Sequence, residues 1–210
     1  VGDFDFAALL CSRLCHDLVS PVGALTNGIE LLAEETDPAM REQCMQLLAD
    51  SARQTANRLK FFRLAFGAAS NVGADVDTRE AQSAVEGLFG SEKTSINWAV
   101  RATVMPKTAI KTLLNMSLLA GDALLRGGTL TVAAEISDSS IDLATQSEGP
   151  KVLMGEDLRT VLAGQMPLQQ LQPRLAPAYL IHTLVTSVRG DISVSPPDMP
   201  GLTLAVRLPR

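Results

Sequence analysis

One repeating pattern constrains this chain more than any other. Phe4, Ala8, Cys11, Cys15, Leu18, Val22, Leu25, Ile29 and Leu32 follow one another at alternating spacings of four and three. Such a spacing gathers side chains onto one face of an α-helix and makes the seam of a bundle or coiled coil. It predicts a helix over residues 4–34. Leu14, Pro21 and Gly28 form a flanking column, so the buried face is wider than one seam. Pro21 lacks an N–H and is expected to kink the helix or loosen one turn. Thr36-Asp37-Pro38 stops the helix and starts another, with Asp37 as cap and Pro38 in the first turn. Met45, Leu48, Ala52, Thr55, Leu59, Phe62 and Phe66 then give a second stripe of the same period. Two long helices joined by a short turn make an antiparallel hairpin. Its apolar faces are too wide to bury alone, so a homodimer is expected, with two hairpins forming a four-helix bundle.

The pattern changes after the stretch Gly67–Gly73, which reads as a linker. Residues 78–90 look helical and Thr94–Val104 alternates like a strand. Lys107–Leu125 reads as a buried helix ending at Gly127-Gly128. Thr129–Ser137 and Ile141–Thr145 are strand-like, and Ala176–Val188 is helical. Asp191–Ser195 and Leu202–Leu208 close the chain as strands. The expected class is α+β: a helical hairpin over residues 1–70, then helices on one face of a mixed sheet over residues 71–210.

Composition narrows the functions open to it. The chain has 210 residues, 46% of them hydrophobic, which is enough for a sizeable core. Its net charge of −5 argues against general nucleic-acid binding, which needs a basic face to displace counterions. No apolar run approaches the length that crosses a bilayer, and the acidic start Val1-Gly2-Asp3-Phe4-Asp5 has no signal-peptide pattern. Three cysteines are an odd number, and Cys11 and Cys15 lie one helical turn apart, so a reduced, cytoplasmic chain is expected. Cys11, Cys15 and His16 are not expected to make a metal site, because no further Cys/His pair has ligand spacing.

His16 stands out within the first stripe. With Cys15 and Leu18 on the seam, it takes an outward heptad position. Ser12, Arg13 and Ser20 lie three or four residues away, with Gly23 a turn further. These residues are small or polar, as a docking surface around a reactive imidazole requires. An ordinary imidazole is mostly neutral near pH 7 and able to act as a nucleophile. The other histidine, His182, reads as a packed residue of the last helix.

A helix carrying His16-Asp17-Leu18-Val19-Ser20-Pro21, a hairpin and then an α/β domain resembles a sensor histidine kinase. The run Leu180–Val194 followed by Gly201–Pro209 is similar to the end of a kinase ATP-binding domain of the Bergerat type. Leu113–Ala120 resembles the helix of its Asn-rich box, with Asn115 as the first Asn. The nucleotide-binding parts are missing. Leu119 stands where the second, Mg²⁺-binding Asn belongs. Thr145-Gln146-Ser147-Glu148-Gly149-Pro150 stands where the Asp-x-Gly-x-Gly loop belongs. Leu175-Ala176-Pro177-Ala178-Tyr179 replaces the Gly-rich lid. Backbone N–H groups that cradle phosphates need glycines for close approach. A kinase scaffold with an erased nucleotide site and a retained histidine resembles the ChpT-type histidine phosphotransferases of bacterial phosphorelays. The run Leu10–Ala24 is where this likeness is strongest.

The resemblance implies that His16 accepts a phosphoryl group from a receiver's phosphoaspartate and passes it to a second receiver. No cofactor is expected on this chain, because the receiver brings its own Mg²⁺. Arg13 is expected to stabilise the transferring group and Asp17 to orient the imidazole. Ser12, Ser20 and Gly23 are expected to meet the receiver. Counting back from the turn puts residues 57–64 level with His16. Phe61 and Leu64 fall outside the second seam, as an apolar docking patch or as cover for the hinge to the second domain. Lys60 and Arg63 suit a receiver's acidic pocket, with Arg58 a weaker candidate. By resemblance the donor is the receiver of a hybrid kinase of the CckA type, and the acceptors are CtrA-type and CpdR-type cell-cycle regulators. Two other readings predict different behaviour. An active histidine kinase would bind ATP and phosphorylate itself, and a non-catalytic scaffold would bind receivers without forming phosphohistidine.

Overall fold

A computed structural model describes residues 2–67 and 75–210; most of the expected linker Gly67–Gly73 lies outside them. Helix α1 spans Gly2–Glu34 and α2 spans Pro38–Phe66. The turn between them is closed by its acids. The Glu35 carboxylate accepts from the N–H groups of Thr36 and Asp37 at 2.8 and 2.9 Å. Asp37 caps α2 by accepting from the Ala39 N–H at 2.8 Å, a bond worth about 1 kcal/mol. α1 continues helically through Pro21.

Within the hairpin, the flanking column of α1 faces α2, and the α1 seam is only partly covered, with Leu18, Leu25 and Leu32 half-buried. Pro21 and Gly28 are buried, and a Cβ on Gly28 would meet Leu48 Cδ2 at 2.8 Å. The other edge of that seam is open: Phe4, Val22 and Ile29 are 78, 45 and 60% exposed, and Cys11 and Cys15 are exposed.

The second half begins with β1 (Asp75–Asp77) and α3 (Thr78–Phe89), whose cap Asp77 accepts from the Arg79 N–H at 2.8 Å. The run expected as one strand over Thr94–Val104 divides into β2 (Thr94–Val100) and β3 (Val104–Pro106). Thr78 causes the division. Its N–H donates to the Thr103 carbonyl at 3.0 Å and its hydroxyl to the Ala102 carbonyl at 2.6 Å. That turns the chain away from the main sheet, and β3 pairs antiparallel with β1. Helix α4 (Lys107–Asp122) ends three residues before the expected stop and leads through Gly127-Gly128 into β4 (Gly128–Ile136). These two glycines have φ of 77° and 139°, and a Cβ on either would sit 2.1 Å from a carbonyl oxygen, so no other residue serves there. Then come β5 (Ser140–Glu148), a short helix α5 (Glu156–Leu162) that the sequence pattern does not show, and α6 (Ala176–Ser187). Strands β6 (Asp191–Val194) and β7 (Leu202–Pro209) complete the fold.

The five-stranded sheet has the order β2-β4-β5-β7-β6, with β2 and β4 parallel and the other neighbours antiparallel. One face is apolar and buried, through Leu130, Val132, Ile141, Leu143, Leu202, Leu204, Val206 and Leu208, with α4 and α6 packed over it. The class is therefore α+β, a helical hairpin followed by helices on a mixed sheet. No helix among the described residues is long and apolar enough to cross a membrane.

The hairpin packs directly on this second half. Phe61, Phe62 and Ala65 at the end of α2 are fully buried. Phe61 meets Phe62 and Phe89 edge-on, with ring centroids 5.8 and 6.3 Å apart. Asn57 donates to the Gly87 carbonyl at 2.9 Å, and the buried Asn115 side chain donates to the Ala65 carbonyl at 3.2 Å. The start of α1 is held as well, by Phe6 against Tyr179 of α6 at 4.9 Å. Of the two readings of Phe61, this corrects that of a docking residue and favours that of cover toward the second domain. Phe61 belongs to the core between hairpin and sheet, and Leu64 is half-buried against the same core.

Candidate active site

His16 stands a little before the middle of α1, with its side chain 85% exposed. Its Nδ1 lies 3.2 Å from Asp17 Oδ1. With the proton assigned to Nδ1, Nε2 is left with a free lone pair. Asp17 is itself fixed. Its side chain is 12% exposed, and its Oδ2 accepts from Arg13 Nε at 2.8 Å. One turn of helix therefore carries the imidazole, the carboxylate that holds it and the cation that holds the carboxylate.

Arg13 does not play the part expected of it. Its side chain is 10% exposed and its donors are committed. Besides Asp17, it donates to Asp122 Oδ2 at 2.7 Å and to the Arg174 carbonyl at 3.4 Å. Burial works against the Arg13 charge, but the Asp122 and Asp17 carboxylates outweigh it and hold the guanidinium above its ordinary range. Packing at the end of α4 strips water from the half-exposed Asp122 carboxyl and raises it, and Arg13 pulls it back in part. A guanidinium engaged on both sides does not reach a group attacking the outer face of His16. Arg13 ties α1 to α4 and to the turn Pro173–Leu175.

Ser12 and Ser20 are exposed on α1, and Gly23 has open space where a Cβ would stand. The contact of Gly28 with Leu48 sets the hairpin register and carries Lys60 to the level of His16. Lys60 and Arg63 are exposed, and Lys60 donates to Ser83 Oγ at 2.9 Å. His182 is half-buried, with its Nδ1 3.1 Å from the Leu162 carbonyl, as a packed residue should be.

Two site residues escape the sequence pattern, Asp122 and Arg174. Asp122 left one signal. It is an acid at the C-terminal end of α4, where the helix dipole disfavours negative charge.

The second half of the chain, residues 78–199, matches the family described as Histidine phosphotransferase C-terminal domain. The protein phosphotransferase ChpT of Brucella abortus (strain 2308) is 36% identical over 191 residues, 91% of this chain and 89% of that protein. The chain belongs to the ChpT-type histidine phosphotransferases. A solved bacterial phosphotransferase superposes on it with a TM-score of 0.83 at 33% identity, covering 97% of this chain and 96% of that one. The histidine kinase AdeS of Acinetobacter baumannii superposes with a TM-score of 0.48 at 13% identity over 92% of this chain and 97% of its own.

The positions that the sequence resemblance sets against a kinase nucleotide site are packed in this structure. Leu119, on α4, is buried in the core. Ser147 is buried and donates to the Ala120 carbonyl at 2.6 Å. Ala176, Pro177 and Ala178 are the buried first turn of α6.

Proposed function

We propose that His16 is the phosphoacceptor of this phosphotransferase and that it works as a relay between receiver domains. The observation that carries the reading is an exposed imidazole whose Nδ1 is held by a fixed carboxylate. A receiver presents its phosphoaspartate to the outer side of the helix. The Nε2 lone pair attacks phosphorus in line, the P–N bond forms and the P–O bond to the receiver's carboxylate breaks. The ring keeps its Nδ1 proton and becomes cationic, and the Asp17 carboxylate stabilises that charge. The aspartate of a second receiver then attacks the same phosphorus, and the P–N bond breaks to return a neutral ring. Positioning and charge supply most of the catalysis in such transfers.

Mg²⁺ enters with the receiver. Lys60 and Arg63 meet the receiver's acidic pocket, and Ser12, Ser20 and Gly23 leave room beside the phosphoryl group. A hybrid-kinase receiver is the donor and response-regulator receivers are the acceptors. Leu119, Ser147 and Pro177 in packed positions support a relay without its own ATP chemistry. In the test, a phosphorylated receiver is mixed with the chain. The wild type takes up label and His16→Ala takes up none. Equal labelling of both would overturn the reading. Tight receiver binding without label on either would make the chain a scaffold.

The open seam supports a second copy as its cover. Phe4, Val22 and Ile29 stand exposed along one line of α1, and Met45 and Leu59 are 55 and 47% exposed on α2. Burying such residues is worth roughly 1.5–3 kcal/mol each. We expect a dimer by light scattering, and a monomer when Val22 and Ile29 are both changed to Asp. A wild-type monomer at micromolar concentration would contradict the four-helix bundle.

A further inference from the structure

We propose that Asp122 is a positioning residue for the His16 reaction, acting from the sheet-bearing half of the chain through Arg13 and Asp17. The proposal rests on the role of His16 given above. Three bonds run in line. Asp122 Oδ2 accepts from Arg13 Nη2 at 2.7 Å, Arg13 Nε donates to Asp17 Oδ2 at 2.8 Å, and Asp17 Oδ1 meets His16 Nδ1 at 3.2 Å. The chain of bonds starts on α4 and ends on the exposed ring of α1.

The geometry of a guanidinium explains why the far end matters. Its planar fork matches a carboxylate with two parallel bonds. In the structure Arg13 is shared. Asp122 holds one arm, so Asp17 receives a single bond on Oδ2 and keeps Oδ1 for the imidazole. Without the Asp122 charge, a nearly buried guanidinium has one carboxylate left to neutralise it. It then turns to take both oxygens of Asp17, and His16 loses the acceptor that fixes its tautomer. The placement of Asp122 fits this task. An acid at the last residue of α4 opposes the helix dipole, and its bond to Arg13 offsets that cost. The sheet-bearing half thereby sets the reactivity of a histidine it does not touch.

The test uses the full chain, single-turnover transfer from a phosphorylated receiver at varied receiver concentration, and ¹⁵N NMR of the His16 ring. Asp122→Asn is expected to slow saturated transfer roughly tenfold, a typical effect of a group that orients another. The half-saturating receiver concentration stays unchanged, and the ring nitrogens move from one tautomer toward a mixture. Asp122→Glu restores most of the rate and the tautomer. A wild-type rate and tautomer in Asp122→Asn would overturn the proposal. So would a change confined to the half-saturating concentration, or equal losses in both variants with unmoved ring signals. If Asp122→Asn does not fold, Arg13→Lys keeps the charge, removes the fork and is read in the same way. Label on His16→Ala would instead overturn the relay role, and the ring signals would still report the positioning.

Discussion

The two histidines of this chain sit on helices of the same protein and each has Nδ1 close to an oxygen, yet their surroundings have opposite logic. His16 meets a carboxylate at 3.2 Å and is 85% exposed. His182 meets the Leu162 carbonyl at 3.1 Å and is half-buried. Gly164 closes over that second ring, so that a Cβ there would lie 2.4 Å from His182 Cε1. A carbonyl fixes a ring in place. A carboxylate fixes it and also stabilises the positive charge that arises when the other nitrogen is phosphorylated. In the proposed relay, reactivity follows from what holds Nδ1 and from whether Nε2 is open.

The sharpest way to break this contrast is to disturb each ring's support separately. Gly164 has φ of 71°, and a methyl group there strikes the imidazole. Gly164→Ala should cost about 3 kcal/mol, from left-handed backbone strain and overpacking together. Chemical denaturation reads the loss, and phosphotransfer by the folded fraction should persist. Asp17→Asn should act in the opposite sense. It keeps shape and removes charge, so saturated transfer falls roughly tenfold to a hundredfold, read by rapid-quench kinetics. The smallest effect belongs to His182→Ala, which should cost about 1–2 kcal/mol for a lost buried bond and some packing. Its transfer rate should match the wild type, and a His182→Ala protein with impaired transfer would undo the division between the two rings.

Much of this was legible in the residues, for definite reasons. The four-three spacing announced both long helices, and Asp37-Pro38 announced the restart, because capping is local chemistry. Gly127-Gly128 marked the turn between α4 and β4, because positive φ admits little else. His16 was visible because a heptad count places it off the seam. What stayed hidden depends on contacts between distant parts of the chain. Phe61 lies off the hairpin seam, and its burial comes from Phe89 on α3. The heptad count sees the partner helix and not the sheet-bearing half. Arg13 reads as a free cation beside the reactive centre until Asp122, far along the chain, is brought against it. The short helix α5 has too few residues to show a period, and β3 left the run of β2 because Thr78 captures the intervening carbonyls.

The seam shows the same limit from the other side. The heptad stripe predicts the seam of a bundle with a flanking column beside it, and within the protomer the column is the more buried of the two. A periodic stripe says that a face wants a partner, and it does not say which chain supplies that partner.

The most direct measurement is the position of the phosphoryl group on the loaded protein. With ¹⁵N-labelled histidines and phosphoryl transfer from a receiver, ³¹P–¹⁵N coupling identifies the bonded nitrogen. The account predicts one P–N bond, at Nε2 of His16, with the Nδ1 proton retained and His182 unchanged. A bond at Nδ1 of His16, or a phosphoryl group on His182 or on a carboxylate, would contradict it.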